Sequence, residues 1–345
     1  MQHSFCTYFD RNYLIKGLSL ISSLIQHHDS SLRIFVVCMD EYTRIILGRL
    51  NIPQVTTIPL HEIEQGDSKL LACRSDRSAV EYLWTSTPTI ILRILERNPE
   101  LQTLTYLDAD MFCFGSTRAI YDELGSASCL IHEHRYPAYL AHLIDHGRFN
   151  VGLLVFRRDT TGFNILRWWR ERCIEWCKAE RFEGKYGDQK YLDQWPELFP
   201  GLTITTNIGV GTAPWNHSQY TFSSQNNRVL INNAPLLVYH FHAFRILNQH
   251  VIVPVGYTDY QTPLSFYQFP LLPYLGALKQ ATQRVRELSP DFTFGLETKD
   301  FPLTVGHGFI VDAEALPHLE PTGLPAQRIT LDREWVLFPG ASTIR

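Results

Sequence analysis

Thr105-Tyr-Leu-Asp-Ala-Asp-Met-Phe-Cys-Phe-Gly-Ser116 (TYLDADMFCFGS) runs an apolar stretch into two acids one residue apart, then turns apolar again. Burying charge is costly unless something compensates it. In open parallel sheets, ligands bind beyond the carboxyl ends of the strands. A strand over 103–107 therefore sets Asp108 and Asp110 at a binding edge. In extended backbone both side chains share one face, where two like charges raise each other's pKa unless a cation lies between them. Mg2+ or Mn2+ commonly takes one or two carboxylates together with substrate phosphates. Two readings fit these residues: a diphosphate-bound metal site, or a solvated turn, where Asp is common.

Outward from this stretch, strands and helices alternate. Strands are expected at 5–8, 32–39, 55–59, 128–133 and 149–157, and helices at 13–26, 42–50, 88–97 and 165–177. Leu14, Leu18, Ile21, Leu24 and Ile25 mark the first helix; Ile165, Trp169, Cys173, Trp176 and Cys177 stripe the last. The alternation predicts an α/β fold with a doubly wound, mainly parallel, Rossmann-like sheet. Shorter strands are expected at 202–206, 229–231 and 236–241. Beyond residue 250, prolines recur at 254, 263, 270 and 273. An amphipathic helix is expected at 274–288, then a Pro- and Gly-rich irregular tail from Ser289. The expected organisation is one domain over 1–250 and an extension over 251–345.

Bulk composition narrows the function. A net charge of −4 without a long Lys/Arg run argues against nucleic acid as the main partner, because that binding neutralises many phosphates. No apolar stretch approaches the ~20 residues of a membrane span, and the first ten residues lack the features of a signal peptide. The seven cysteines include no paired CxxC spacing. Buried reduced thiols and a cytoplasmic location are expected, not a zinc site. Lys279, Arg284 and Arg286 on the 274–288 helix suit either peripheral contact with the inner face of an anionic membrane or a merely solvated face.

The strand ending in DxD resembles the metal motif of glycosyltransferases with the GT-A fold, which use nucleotide-sugar donors. Haloacid-dehalogenase-like phosphatases need Gly-Thr after the second acid; Met111 and Phe112 stand there instead. Four further stretches resemble the retaining galactosyl- and glucosyltransferase group (family 8-like) typified by bacterial lipooligosaccharide enzymes and glycogenin. Asp10-Arg11-Asn12-Tyr13 resembles that group's uracil-binding Asp-x-Asn-Tyr, with the backbone of Thr7 and Tyr8 alongside; taken alone, Asp10 or Asn12 equally reads as a helix cap. Phe149-Asn150-Val151-Gly152 resembles a strand whose Asn holds the donor sugar and whose Gly admits close backbone; taken alone, it is a core strand with a Gly bulge. Asp188-Gln189-Lys190-Tyr191-Leu192 resembles Asp-Gln-x-x-Leu. The resemblance implies that Asp188 binds sugar hydroxyls and that Gln189 lies near the anomeric carbon; Asp188 also reads as an N-cap.

The family's third metal ligand falls on His240 in Val238-Tyr239-His240-Phe241-His242-Ala243, although Ala243 replaces the usual Gly and His242 shares the face of His240. The resemblance covers roughly residues 1–250 and is similar to a broader set of bacterial surface-polysaccharide transferases. It implies a UDP-sugar donor and Mn2+ (or Mg2+) on Asp108, Asp110 and His240, with Ala109 donor-facing between the acids. It further implies hexose transfer to a saccharide or lipid-linked glycan with retention, since inversion needs a positioned base, for which Asp188 or Glu133 is available. Arg77 and Arg93 are candidate diphosphate ligands, or simple ion pairs with Asp76 and Glu96. Glu133, His134, Arg135, Trp215 and Asn216 mix charge with an aromatic face suited to the acceptor. Two competing functions are a nucleotidyltransferase, which needs a Gly-rich loop absent from Cys6–Tyr13, and a non-catalytic nucleotide-sugar-binding protein of the same fold.

Overall fold

In a computed structural model describing residues 3–248, 250–297, 307–319 and 327–344, the decisive strand is central to a seven-stranded sheet. Its strands are β1 (Ser4–Phe9), β2 (Arg33–Cys38), β3 (Val55–Pro59), β4 (Thr103–Leu107), β6 (Cys129–Glu133), β7 (Phe149–Arg157) and β8 (Leu202–Ile204), with β5 (Met111–Cys113) outside it. The spatial order is β3-β2-β1-β4-β7-β6-β8. All of these run in one direction except β7, which is antiparallel to both β4 and β6. This is the mainly parallel, doubly wound α/β sheet expected.

Both faces of the sheet are apolar because both are covered. Alternate residues enter different cores: Phe5, Val36, Leu107 and Val155 pack on one side, while Cys6, Phe35, Tyr106 and Leu154 pack on the other. The Leu14–His27 and Leu271–Leu288 helices cover the first side, with Leu18, Ile21, Leu278 and Val285 in one cluster. The Ala79–Arg97 and Thr160–Glu175 helices cover the second. All seven cysteines are unpaired and buried.

Two elements depart from expectation. The helix expected from residue 88 begins nine residues earlier. Ser78 and Glu81 form a capping box there: Ser78 N donates to Glu81 Oε2 at 2.7 Å and Glu81 N to Ser78 Oγ at 3.3 Å. Such a box satisfies two end groups at once, and Pro88 is carried inside the helix. The tail from Ser289 is also more ordered than its composition suggested. Phe309–Asp312, Ile329–Thr330 and Trp335–Phe338 join Arg245–Ile246 and Val251–Val253 in a five-stranded antiparallel sheet. That sheet takes strands from both sides of residue 250, and its Ile310, Trp335 and Leu337 pack into the same core as the Leu271–Leu288 helix. Strands of two to four residues carry too little alternation to be read from sequence.

Candidate active site

Parallel strands deliver the carboxyl ends of β1, β4 and β6 to one edge of the sheet, and the reversed β7 brings its first residues to the same edge. Asp108 N donates to Gly152 O at 2.9 Å, which joins the end of β4 to the start of β7. β5 then pairs antiparallel with Val238–His240, setting His240 opposite Met111, and Phe241 N donates to Asp110 O at 2.9 Å. His240 Nε2 thereby lies 3.0 Å from Asp110 Oδ1 and 3.8 Å from Asp108 Oδ2. Ligand atoms of Asp108, Asp110 and His240 all fall within 4.8 Å of one another. Tyr106 OH donates to Asp108 Oδ1 at 2.6 Å and fixes that carboxylate.

Burial pushes the Asp110 carboxyl up, but His240 and Lys16 outweigh it and bring it down to about 2. Burial raises Asp108 against the pull of His240. Burial alone lowers His240, yet the two carboxylates raise it. Two carboxylates and an imidazole form a donor set that suits a divalent cation. His240 Nδ1 and Asp188 Oδ2 are buried with no hydrogen-bond partner, orphans of the sort that functional sites carry. Ala243, three residues past His240, has φ 59. That is the left-handed conformation glycine adopts freely, which accounts for the Gly of the family pattern. His242 is pushed down to about 4 by burial and then by His240; its ring stands 5.6 Å from that of His240.

A cavity of about 510 Å³ opens over the cluster. Asp108, Asn150, Asp188, Gln189, His240 and His242 line one part of it; Trp84, Tyr136, Tyr186, Trp215, Tyr257 and Tyr260 form an aromatic wall. No Lys or Arg is among its lining residues. Asn150 Oδ1 accepts from Gly152 N at 2.8 Å, and Asn150 Nδ2 lies 3.2 Å from His134 Nε2, so the amide is oriented. Gln189 Nε2 donates to His146 O at 3.0 Å.

Asp188 is 4% exposed. Its burial, then the charge of Asp108, push the carboxyl up to about 8. The folded value lies above the ordinary 3.8, so stability held by the neutral form is whole below 3.8 and is lost as pH rises through 8. In chelator-treated protein, Asp188→Asn is expected to melt higher than the wild type at pH 8, with a gap that narrows toward pH 5. Thermal melts at the two pH values check this; an equal gap at both contradicts it.

The other expected residues are distributed as follows. Asp10 accepts from Asn12 N at 2.9 Å, Tyr13 N at 3.2 Å and Asn12 Nδ2 at 2.9 Å, so its carboxylate organises the turn into the first helix. Thr7 and Ala109 are buried. Tyr8 OH is 2.9 Å from Thr87 Oγ1, and its ring stacks on Tyr106 at 5.8 Å. Thr7, Tyr8, Ala109, Asp10, Asn12 and Tyr13 do not line the 510 Å³ cavity. Neither arginine is brought to the acids. Arg77 is buried against Asp76 and donates to Ile174 O at 3.4 Å. Arg93 pairs with Glu96 at 3.4 Å beside a separate cavity lined by Asp67, Arg167 and Arg170.

Of the residues expected to meet the acceptor, only His134 and Trp215 line the cavity. Trp215 Nε1 and Asn216 Nδ2 both donate to His134 O, at 3.0 and 2.7 Å, and Glu133 pairs with Arg148. Arg135 donates to Asn207 O at 3.2 Å and to Val210 O. On the Leu271–Leu288 helix, Lys279 pairs with Glu334 at 2.9 Å.

Sequence reasoning missed Lys16, Tyr106 and the 257–260 wall. Lys16 is buried; its Nζ donates to Phe244 O at 2.9 Å and sits 4.4 Å from the Tyr13 ring centroid. A lone Lys among buried helix positions was its signal. Tyr106, two residues before Asp108, was legible from alternation. Nothing local marked 257–260.

No family model matches the chain. It is 34% identical over 308 residues to YfnF of Bacillus subtilis (strain 168), covering 87% of this chain and 99% of YfnF. It is 30% identical over 298 residues to YfnD of the same organism, covering 86% and 94%. Both are described as uncharacterized proteins. Among solved structures it is similar to the galactosyltransferase LgtC in complex with donor and acceptor sugar analogues, with 16% identity, 83% of this chain and 96% of that one covered, and a TM-score of 0.48.

Proposed function

We propose that this chain, which belongs to the family of the Bacillus subtilis proteins YfnF and YfnD, is a metal-dependent glycosyltransferase of the GT-A fold. In this reading it moves a hexose from a UDP-sugar to a saccharide or lipid-linked glycan, with retention, in the cytoplasm. The observation that supports it is the Asp108, Asp110 and His240 cluster, within 4.8 Å, of which Asp108 and His240 stand on the wall of a cavity that Asn150, Asp188 and Gln189 also line.

Asp108, Asp110 and His240 would hold Mn2+ or Mg2+. The bound cation supplies a Lewis acid for the negative charge that develops on a departing diphosphate. The chain's own residues do the rest. Tyr106 locks one oxygen of Asp108 and leaves Oδ2 toward His240. Lys16, lowered to about 8 by its burial, acts on Asp110 and helps keep that ligand ionised. Asn150, held by Gly152 N and His134, presents a fixed amide to the donor sugar. Asp188 keeps one buried oxygen unpartnered for sugar hydroxyls.

Retention is favoured because one of the two alternative bases is already engaged. Glu133 is bound by Arg148. Asp188, whose free Oδ2 faces no protein partner, is assigned to the hydroxyls of the donor sugar rather than to the acceptor proton.

Because no Lys or Arg lines the cavity, a diphosphate there depends on the metal for its countercharge. Calorimetric titration with UDP is expected to show binding in Mn2+ and none in EDTA, and a screen of UDP- and GDP-sugars to show donor hydrolysis only with metal. Equal UDP affinity in both conditions, or no binding in either, contradicts the assignment.

A further inference from the structure

We propose that the outer wall of this cavity is an acceptor subsite for an uncharged pyranoside, with Tyr257 and Tyr260 as its stacking face and Asp259 as its hydroxyl acceptor; this rests on the transferase reading above.

The segment 256–260 stands against the metal-ligand loop. The Tyr257 ring stacks on His242, with centroids 5.7 Å apart and planes at 10°, and Tyr260 follows at 5.2 Å from Tyr257. Gly256 permits the approach, since a Cβ there would fall 2.6 Å from Ala243 O. The wall is anchored beyond its far end. Gln261 N donates to Tyr139 OH at 3.2 Å, Thr262 N donates to Ser342 O at 2.8 Å, and Thr262–Pro263 pairs with Thr343–Ile344.

The side chains here are unspent. Tyr257 is 48% exposed. Among the described residues, no hydrogen bond or ion pair engages the Asp259 carboxylate or the hydroxyls of Tyr136, Tyr186, Tyr257 and Tyr260, all of which line the cavity. Aromatic faces offer an apolar surface with a polar tip, and a free carboxylate accepts from several hydroxyls. A pyranose presents the matching pattern: C–H faces to stack and a rim of hydroxyls to bond.

Charge narrows the class. The carboxylic acids lining the cavity are Asp108, Asp188 and Asp259, and no Lys or Arg is among its described lining residues. With the metal committed to the donor diphosphate, an anionic sugar would meet these carboxylates with no Lys or Arg among the lining residues to offset them, and like charges brought together are disfavoured. The acceptor ring is therefore uncharged rather than a uronate or a sugar phosphate.

The test uses the full chain loaded with UDP and Mg2+. The loading titration comes first, and failure there sinks the transferase reading itself. Methyl galactoside, methyl glucoside and methyl glucuronide are then titrated by saturation-transfer NMR. A neutral glycoside is expected to bind, with the glucuronide weaker by about tenfold or more. Tyr257→Ala and Asp259→Asn should each weaken the neutral glycoside by about tenfold, while Tyr257→Phe, which keeps the ring, should stay within about threefold. UDP titration of each variant reports whether the donor side is intact. Three results overturn the subsite while leaving the donor reading standing: glucuronide binding as tight as the neutral sugars, full affinity in both Tyr257→Ala and Asp259→Asn, or no glycoside binding by the UDP-loaded protein.

Discussion

Asp110→Ala is expected to abolish metal-dependent UDP binding while the protein stays folded. Asp110 is 8% exposed, and its Oδ1 lies 3.0 Å from His240 Nε2. Held down to about 2, it is ionised at any working pH. Its removal leaves one carboxylate and one imidazole, and His240 loses the partner that most raises it. Perturbing groups that merely support metal ligands costs about 10–100-fold in affinity; deleting a ligand should cost more than about a hundredfold. The backbone bond from Phe241 N to Asp110 O, 2.9 Å, survives the substitution, so the strand pairing that carries His240 remains. Calorimetry with UDP and Mn2+, beside a thermal melt, checks both halves. UDP binding at wild-type affinity in a folded Asp110→Ala protein would remove the metal role from these acids.

Gly152→Ala is expected to be nearly as damaging, through sterics rather than charge. A Cβ at this position would lie 2.7 Å from Asn150 Oδ1, 2.7 Å from Met111 Cε and 2.9 Å from His240 Nδ1. Met111 can swing its flexible end away. Asn150 and His240 cannot, because one is held by Gly152 N and the other by the two acids. Overpacking of this kind costs about 1–3 kcal/mol, and displacing a positioned group by an ångström costs turnover about 100-fold. Gly48→Ala is the control: nothing lies within 4 Å of its Cβ, and it sits in the Glu41–Leu50 helix, where alanine should stabilise by up to ~1 kcal/mol. Donor-hydrolysis rates and melts of the two variants separate the effects. Unchanged activity in Gly152→Ala would place this backbone away from the reacting groups.

Much of the scaffold was legible locally. The Thr103–Leu107 and Phe149–Arg157 strands lie where the sequence places them, because a strand buried on both faces reads as a largely apolar run; the half-exposed edge strand Val55–Pro59 also lies where expected. Asp108 and Asp110 at a strand end were equally visible. The start of the Ala79–Arg97 helix is less legible, because Pro88 suits a first turn while the Ser78 and Glu81 cap that opens the helix lies upstream. Lys16 is not singled out by helix periodicity, because only the packed fold brings its buried position to the Phe244 carbonyl and within electrostatic reach of Asp110.

By itself, then, the order of residues determined the alternating strands and helices, the parallel sheet and the edge on which two acids stand. Tertiary structure alone decided that His240 rather than His242 completes the cluster, that the arginines at 77 and 93 stay apart from it, and that 257–260 walls the cavity. The reason is physical. Periodicity is a property of neighbouring residues, whereas the pairing of Val238–His240 with Met111–Cys113, and the closure of the 256–261 segment on Tyr139 and Ala243, exist only once distant segments have packed.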